Sequence, residues 1–451
     1  VTTMSNMFRG ATVFNQNIGG WIVTSVNNMD NMFYGANAFN QDLNSWIVSS
    51  VTNMSDMFRE TAFNGDISSW TTTSVTNMSN MFRDATAFNQ DISGWTTPLV
   101  ANISVMFRGA TAFNQDISGW NISAATNTSQ MFYDAIAFNQ DISGWNTNLV
   151  NTMSNMFRGA AAFNQDIGGW NTANVTNMNN MFRGATAFDQ DISGWNVALV
   201  TNFGSMLRNV TLSPANYNAL LIGWNAQSLQ PGEAFHGGNS KYCSAAAIAA
   251  KANMISSDGW SFNDGGELTS FTWSGSTDTD WNDPSNWQDG YTPDCSIDIS
   301  IPSVTNHPII DASSEVTVDN LTINSGAILT IEGGLTVGGN LTTNNGLTIN
   351  SGGSIIVNGT STGNLTYNRN IPIAKKWYYV SPPVEGEDIE DYISNNSLDT
   401  GNGNVGLFYY DNDDTILSYA GTGYVFYTPT STGGFTSGKG YGTKLSSASD
   451  V

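Results

Sequence analysis

The residues best placed to do chemistry in this chain are carboxylates that recur at a fixed spacing. Asp42, Asp66, Asp91, Asp116, Asp141, Asp166 and Asp191 follow one another at steps of 24 or 25 residues, and Asn17 takes the acid's place at the head of the series. If the chain stacks on itself at that period, neighbouring carboxylates lie about 4.8 Å apart. They then repel by about 0.9 kcal/mol in water, or about 3.5 kcal/mol at an effective dielectric of 20. Such a column needs compensation, and two readings supply it. One is a self-satisfied ladder, bonded by backbone, serine or arginine donors. The other is an exposed strip that takes a cation or another ligand. Calcium suits an acidic chain, but one carboxylate per coil offers fewer oxygens than that ion prefers.

Other polar groups recur in phase with the acids. Arg9, Arg59, Arg83, Arg108, Arg158, Arg183 and Arg208 form a column interrupted by Tyr34 and Tyr133; spacing alone does not say whether it reaches the aspartates. Asn15, Asn40, Asn64, Asn89, Asn114, Asn139 and Asn164, with Asp189 last, form another, expected to face inward and bond the backbone of the next coil. Further on, Asp278, Asp280 and Asp283, and separately Asp411, Asp413 and Asp414, make compact acidic loops. Each is a candidate calcium site or a solvated turn, and neither has the spacing of an EF-hand. The histidines, His236 and His307, stand far apart without a motif around either. No nucleophile elbow, phosphate loop, dinucleotide fingerprint or zinc motif occurs. A catalytic site needs unique residues in one place, whereas this array repeats its polar groups, so the expectation is a protein that is not an enzyme.

The elements that must position these groups are copies of one sentence, VTNMSNMFRDATAFNQDISGW in its cleanest form (Val75–Trp95). Eight copies end at Trp21, Trp46, Trp70, Trp95, Trp120, Trp145, Trp170 and Trp195. A fixed period of this length is the signature of a solenoid, in which each unit buries its apolar face against its neighbours. Val75, Met78, Met81 and Phe82 fall on one stripe of a short helix, with Ser74 as its N-cap and Asp84 at the exit turn. Phe88 to Trp95 reads as a short strand, Ile92 inward between outward Asp91 and Ser93. The fold expected for 1–210 is therefore an α/β solenoid of leucine-rich-repeat type, one short strand and one short helix per coil. Its phenylalanine, tryptophan and methionine columns are the core rather than a sticky surface. The third copy is one residue shorter between Phe58 and Phe63, in the turn between helix and strand, where length varies without shifting either column.

After Arg208 the pattern decays into two predicted helices, one after Ser213-Pro214 and one over Ser244–Met254. Residues 211–267 are expected to cap the array. From Leu268 the grammar is all-β. Triplets such as Leu321-Thr322-Ile323, Leu329-Thr330-Ile331 and Leu347-Thr348-Ile349, set between Asn and Gly turns, predict a β-solenoid over 268–370. Longer aromatic strands predict a β-sandwich over 371–451.

Composition narrows the function. Charged residues are 11% of the 451, and the net charge is −23: 13 acids against 7 arginines up to residue 208, and 24 acids against 7 bases after it. Such a chain repels phosphate backbones and anionic lipid. No run of 18 apolar residues exists, so no membrane span is expected. Cys243 and Cys295 are too few for a disulfide framework, and they are read equally as one bridge or as two buried thiols. Since Val1 opens inside a repeat, the chain is expected to be a monomeric piece of a longer protein.

The repeated V-T-N-M-S-N-M-F-R-x-A-T-A-F-N-Q-D-I-S-G-W resembles the 25-residue repeat of BspA-like surface proteins, also abundant in Mycoplasma-type lipoproteins, over residues 1–208. Ala219 to Gly266 resembles the closing piece after such repeats in secreted Bacteroidetes proteins. The stretch from Thr279 through TDWNDPSNWQDGYTPD resembles modules of proteins exported by the type IX secretion system of that phylum. The resemblance implies an extracellular or cell-surface modular protein, an adhesin or scaffold whose partner is a host or neighbouring-cell protein or glycan. It supplies no family-wide functional residues. The alternative is a polysaccharide-active secreted enzyme with its catalytic module in or beyond the C-terminal β region. A third reading, a binder of regular surfaces through outward Thr and Ser of the β-solenoid, is disfavoured because the uneven steps between triplets argue against alignment.

Overall fold

The structure, a computed structural model, describes residues 1–368 other than 294, and beyond them the strand backbones between 370 and 450. It divides into two compact units, Val1–Thr269 and Ser270–Val451.

In the first unit successive copies of the repeat stack as coils. The helix expected in each coil is absent: no helix precedes α1 (Pro214–Asn225). The hydrophobic stripe is instead carried by a run of turns whose alternate amides reach the next coil. Met4, Asn6, Phe8 and Gly10 donate to the carbonyls of Asn28, Asp30, Met32 and Tyr34 at 2.7–3.0 Å, while the amides of Met7 and Arg9 turn back onto Met4 and Asn6. The cause is backbone chirality. Two residues four apart in every coil hold a left-handed φ: Asn6 at 59° and Gly10 at 69°, Asn80 and Asp84 at 56°. Asn, Asp and Gly, which fill most of these positions, tolerate that conformation and a continuous α-helix does not; Glu60, Val105, Gln130 and Ser205 hold it at the remaining ones.

The expected strand at Phe88–Trp95 is also absent. Parallel pairing is confined to one bridge per coil, along Thr3, Asn28, Asn53, Asn77, Asn102, Asn127, Thr152 and Asn177. The in–out alternation survives, with Ile92 buried and Asp91 and Ser93 exposed. What prevents a ladder is that side chains occupy the amides of this segment: Asn64 Oδ1 accepts from the Asn89 amide at 2.9 Å, and Asp91 Oδ1 from the Ser93 amide at 2.9 Å.

The apolar columns form one continuous core from Met4 to Trp260. Phe82 stacks on Phe88 within its coil at 3.7 Å between ring centroids and on Phe107 of the next at 5.7 Å. Each tryptophan from Trp46 to Trp195 donates its indole N–H to a carbonyl of the preceding coil, as Trp120 does to Ile92 at 3.1 Å. Trp224, on α1, makes the same bond to Ile192 at 3.2 Å, so the helix continues the tryptophan column. α2 (Ala245–Asp258) packs on α1, with Ser244 accepting at its N-terminus and Gly259 left-handed at its end.

In the second unit residues 299–366 form a β-solenoid of about three turns with three parallel faces. One face holds Ser270–Thr272, Asp298–Ile301, Leu321–Ile323, Leu341–Thr342 and Ser361–Thr362 in that spatial order. The uneven steps do not spoil alignment, contrary to expectation: Thr322, Thr342 and Thr362 are in register, as are Thr330, Thr348 and Thr366. Differences in turn length are absorbed outside the triplets. Farther on, Tyr378–Val380, Tyr441–Thr443, Leu407–Tyr410 and Tyr424–Phe426 pair antiparallel in that order. The connections between them, on which the β-sandwich expected for 371–451 depends, lie outside the described residues. Both cysteines are disulfide-bonded. Among the described residues no helix is long and apolar enough to cross a membrane.

Candidate functional site

The aspartate column lies along one edge of the stacked coils, after the buried phenylalanine and before the buried isoleucine or leucine of each. All seven carboxylates are exposed except Asp66, which is half-buried. Each closes a turn by accepting the amide two residues on: Asp42 from Asn44 at 2.7 Å, Asp116 from Ser118 at 2.8 Å, Asp166 from Gly168 at 2.9 Å, Asp191 from Ser193 at 2.8 Å. Asn17 does the same for Gly19 at 2.9 Å, which is why an amide replaces the acid without loss of the turn. The backbone and hydroxyl donors of Ser93 hold the Asp91 carboxyl below its usual range, and the Ser143 hydroxyl and amide do the same for Asp141. The column is thus a row of carboxylates, all but Asp66 exposed, each anchored by an amide of its own coil; Asp66 also accepts from the Asn44 side chain of the preceding coil at 2.8 Å.

The arginines do not reach this row. Their ion pairs among the described residues are with acids of their own column: Arg59 with Asp56 at 3.2 Å and Glu60 at 3.1 Å, Arg83 with Asp84 at 3.2 Å. The two tyrosines that interrupt the column are bracketed by guanidinium groups. Arg9 and Arg59 lie 5.0 and 4.6 Å from the Tyr34 ring centre, and Arg108 and Arg158 lie 4.6 and 4.8 Å from that of Tyr133. The signal for these sandwiches was in the sequence, as a tyrosine in phase with arginines on both sides, but an interruption is easily read as noise. Beside them burial pushes the Asp134 carboxyl up, against the pull of Arg158 and Arg108.

The asparagine column stitches the coils as expected. Each side-chain oxygen accepts the amide of its counterpart one coil on, from Asn15 to Asn40 at 2.9 Å through Asn164 to Asp189 at 2.9 Å. Asp189 ends the row because its carboxylate receives the N-terminus of α1, taking the Ser213 amide at 2.8 Å and the Asn216 side chain at 2.8 Å.

The acidic loop of the second unit is built the same way. Asp278 accepts from the Asp280 amide and from Asn286, Asp280 from the Asn282 amide, and Asp283 from the Ser285 amide, each at 2.7–2.9 Å. Among the described residues no three His, Cys, Asp or Glu side chains converge as a metal site would require. Asp411, Asp413 and Asp414 lie outside the described residues. His236 and His307 each accept a backbone amide through Nδ1, from Gly238 and Ile328.

The family model described as a Mycoplasma protein of unknown function, DUF285, matches in three overlapping stretches, residues 1–74, 46–145 and 135–243. A second model, a domain of unknown function (DUF8693), matches residues 272–450. No curated protein and no solved structure matches.

Proposed function

The chain belongs to the Mycoplasma protein family of unknown function DUF285, and from the build of its repeat array we propose a non-enzymatic scaffold or adhesin of the cell surface or extracellular space, which presents a regular face to a partner protein or glycan. One observation carries this reading. The seven aspartates stand at equivalent positions, six exposed and Asp66 half-buried, each fixed by the same turn, so the array offers one chemical pattern over and over on a continuous apolar core. Repeated presentation suits extended binding surfaces, where many weak contacts add. It does not suit catalysis, which needs a unique constellation. The disulfide-bonded state of both cysteines fits an oxidising compartment.

The test is a screen of the whole chain against arrays of glycans and of surface proteins, repeated with the triple variant Asp91→Asn, Asp116→Asn, Asp141→Asn. Asparagine keeps the turn, so melting should not change while captured partners are lost. A chain that captures nothing on either array, or that cleaves arrayed glycans, overturns the proposal.

A further inference from the structure

We propose that Arg158, Arg183 and Arg208 form a binding strip for an acidic polysaccharide, a sugar chain bearing carboxylate or sulfate groups at regular intervals. The proposal rests on the reading of the array as a presenting surface but uses a different column from the aspartates. The seven arginines are the only basic residues up to position 208, and all occupy this one column. Its two ends differ in charge. Arg9, Arg59, Arg83 and Arg108 share the column and its flanks with Asp56, Glu60 and Asp84, and Asp134 lies between Arg108 and Arg158, so the acids of the column end at the first arginine of the strip. From Arg158 onward the positions that carried those acids hold Asn155 and Gly159, Asn180 and Gly184, then Ser205 and Asn209. Arg158 retains the face of Tyr133. Arg183 and Arg208 form no ion pair among the described residues.

The strip is therefore three guanidinium groups on consecutive coils, with Asp134 beside the first and neutral residues in place of acids beside the other two. The coil spacing is read from Phe157 and Phe182, whose ring centres lie 5.6 Å apart. Each group offers paired donors suited to carboxylate or sulfate oxygens, and their mutual repulsion is relieved when an anion lies across them. The width of the strip selects the partner. It is one residue wide in an array that holds 13 acids against 7 arginines up to residue 208, so a broad polyanion such as duplex DNA would also meet the acids of that array. Single-stranded nucleic acid needs aromatic platforms, and the two tyrosines of the column, Tyr34 and Tyr133, are already bracketed by arginines. A narrow, regularly charged sugar chain fits along one column.

The test measures binding of the full chain to polygalacturonate and to dextran sulfate at low salt, with neutral dextran for comparison. Binding to either polyanion and not to dextran is expected, weakening as salt rises. The variant R158Q/R183Q/R208Q should weaken it by about tenfold or more. R9Q/R59Q/R83Q removes the same charge from the end that carries those acids and should change it by less than about twofold. Equal losses in both variants would mean that net charge alone is responsible, and would overturn the proposal. So would the absence of binding to both polyanions, or tighter binding of oligothymidylate or polyglutamate. The asparagine triple variant of the aspartate row should still bind the polyanion, so failure of the strip and failure of the aspartate row are told apart.

Discussion

At the scale of the residue, the aspartate column shows how a like-charge stack can persist. Each carboxylate is committed to an amide two residues on, a bond that amide and acid make equally well, as Asn17 demonstrates. Asp116→Asn should therefore leave the melting temperature within error, and Asp116→Ala should cost about 1 kcal/mol by stranding the Ser118 amide. Denaturant titration of the three proteins checks both. The pH dependence has a definite sign. Because Asp91 and Asp141 are held below the usual carboxylate range in the fold, their contribution is complete above the unfolded value of about 4 and fades as pH falls through the lower folded value. Asp134 runs the other way: burial raises it, so its ionisation opposes folding as pH rises through the folded value. Asp134→Asn, which keeps a residue tolerant of the left-handed φ of 54°, should raise the melting temperature at pH 7, the gain vanishing near pH 3. A gain that persists at low pH would assign it to packing instead. The column itself was legible from spacing. Its partners were not, because an amide two residues away leaves no periodic mark distinct from the repeat.

At the scale of the element, hydrophobic period located the core and misnamed the backbone. The Val, Met and Phe positions read as a helical stripe are buried, but the left-handed residues among them, mostly Asn, Asp and Gly, break the helix. Apolar spacing reports which side chains face inward; whether the amides close on their own turn or on the next coil depends on the residues between. The shortened third coil keeps both phenylalanine columns in place as expected, although the turn that it shortens joins no helix to a strand. In full-length coils the amide of Ala85 donates to Phe82 and that of Phe88 donates to Ala85. In the short coil the Thr61 hydroxyl donates to the Phe58 carbonyl at 2.7 Å and accepts from the Phe63 amide at 3.4 Å, doing both jobs with one residue fewer. The ring centres of Phe58 and Phe63 accordingly remain 3.9 Å apart. The second left-handed position makes a sharper prediction. A Cβ on Gly159 would fall 2.0 Å from the Asp134 carboxylate at φ +70°, whereas one on Gly10 at φ +69° meets nothing within 4 Å. Gly10→Ala should cost about 1 kcal/mol from the backbone alone, and Gly159→Ala measurably more, with the excess removed by Asp134→Gly in the same chain. Equal losses at the two sites in chemical denaturation would show that the carboxylate moves aside freely.

At the scale of the molecule, the stack raises the question of where its cooperativity ends. Arrays of short repeats approximate a one-dimensional chain of coupled units and can fray from an end unless that end is sealed. Here the apolar core does not stop at the last coil: Trp224 on α1 takes the next place in the tryptophan column, and Trp260 and Phe235 pack beyond it against Phe203. The seal is held by one buried polar group. Asp264 accepts from the Tyr217 hydroxyl at 2.6 Å and from Lys251 at 2.7 Å, with side-chain exposures of 5% for the acid and 12% for the lysine. Burial and the adjacent carboxylate push the Tyr217 hydroxyl far up, so it stays a donor throughout the physiological range. Asp264→Ala leaves a buried ammonium without its counter-charge, a change that costs about 3–5 kcal/mol. Since cap and coils share one core, that loss should lower the melting temperature of the whole Val1–Thr269 unit as a single transition. Near-ultraviolet circular dichroism reads it directly, because the stacked indoles from Trp46 to Trp195 report on the coils while Trp224 and Trp260 report on the cap. A variant in which the signal splits into an early cap transition and an unchanged later one would show that the coils hold together without it.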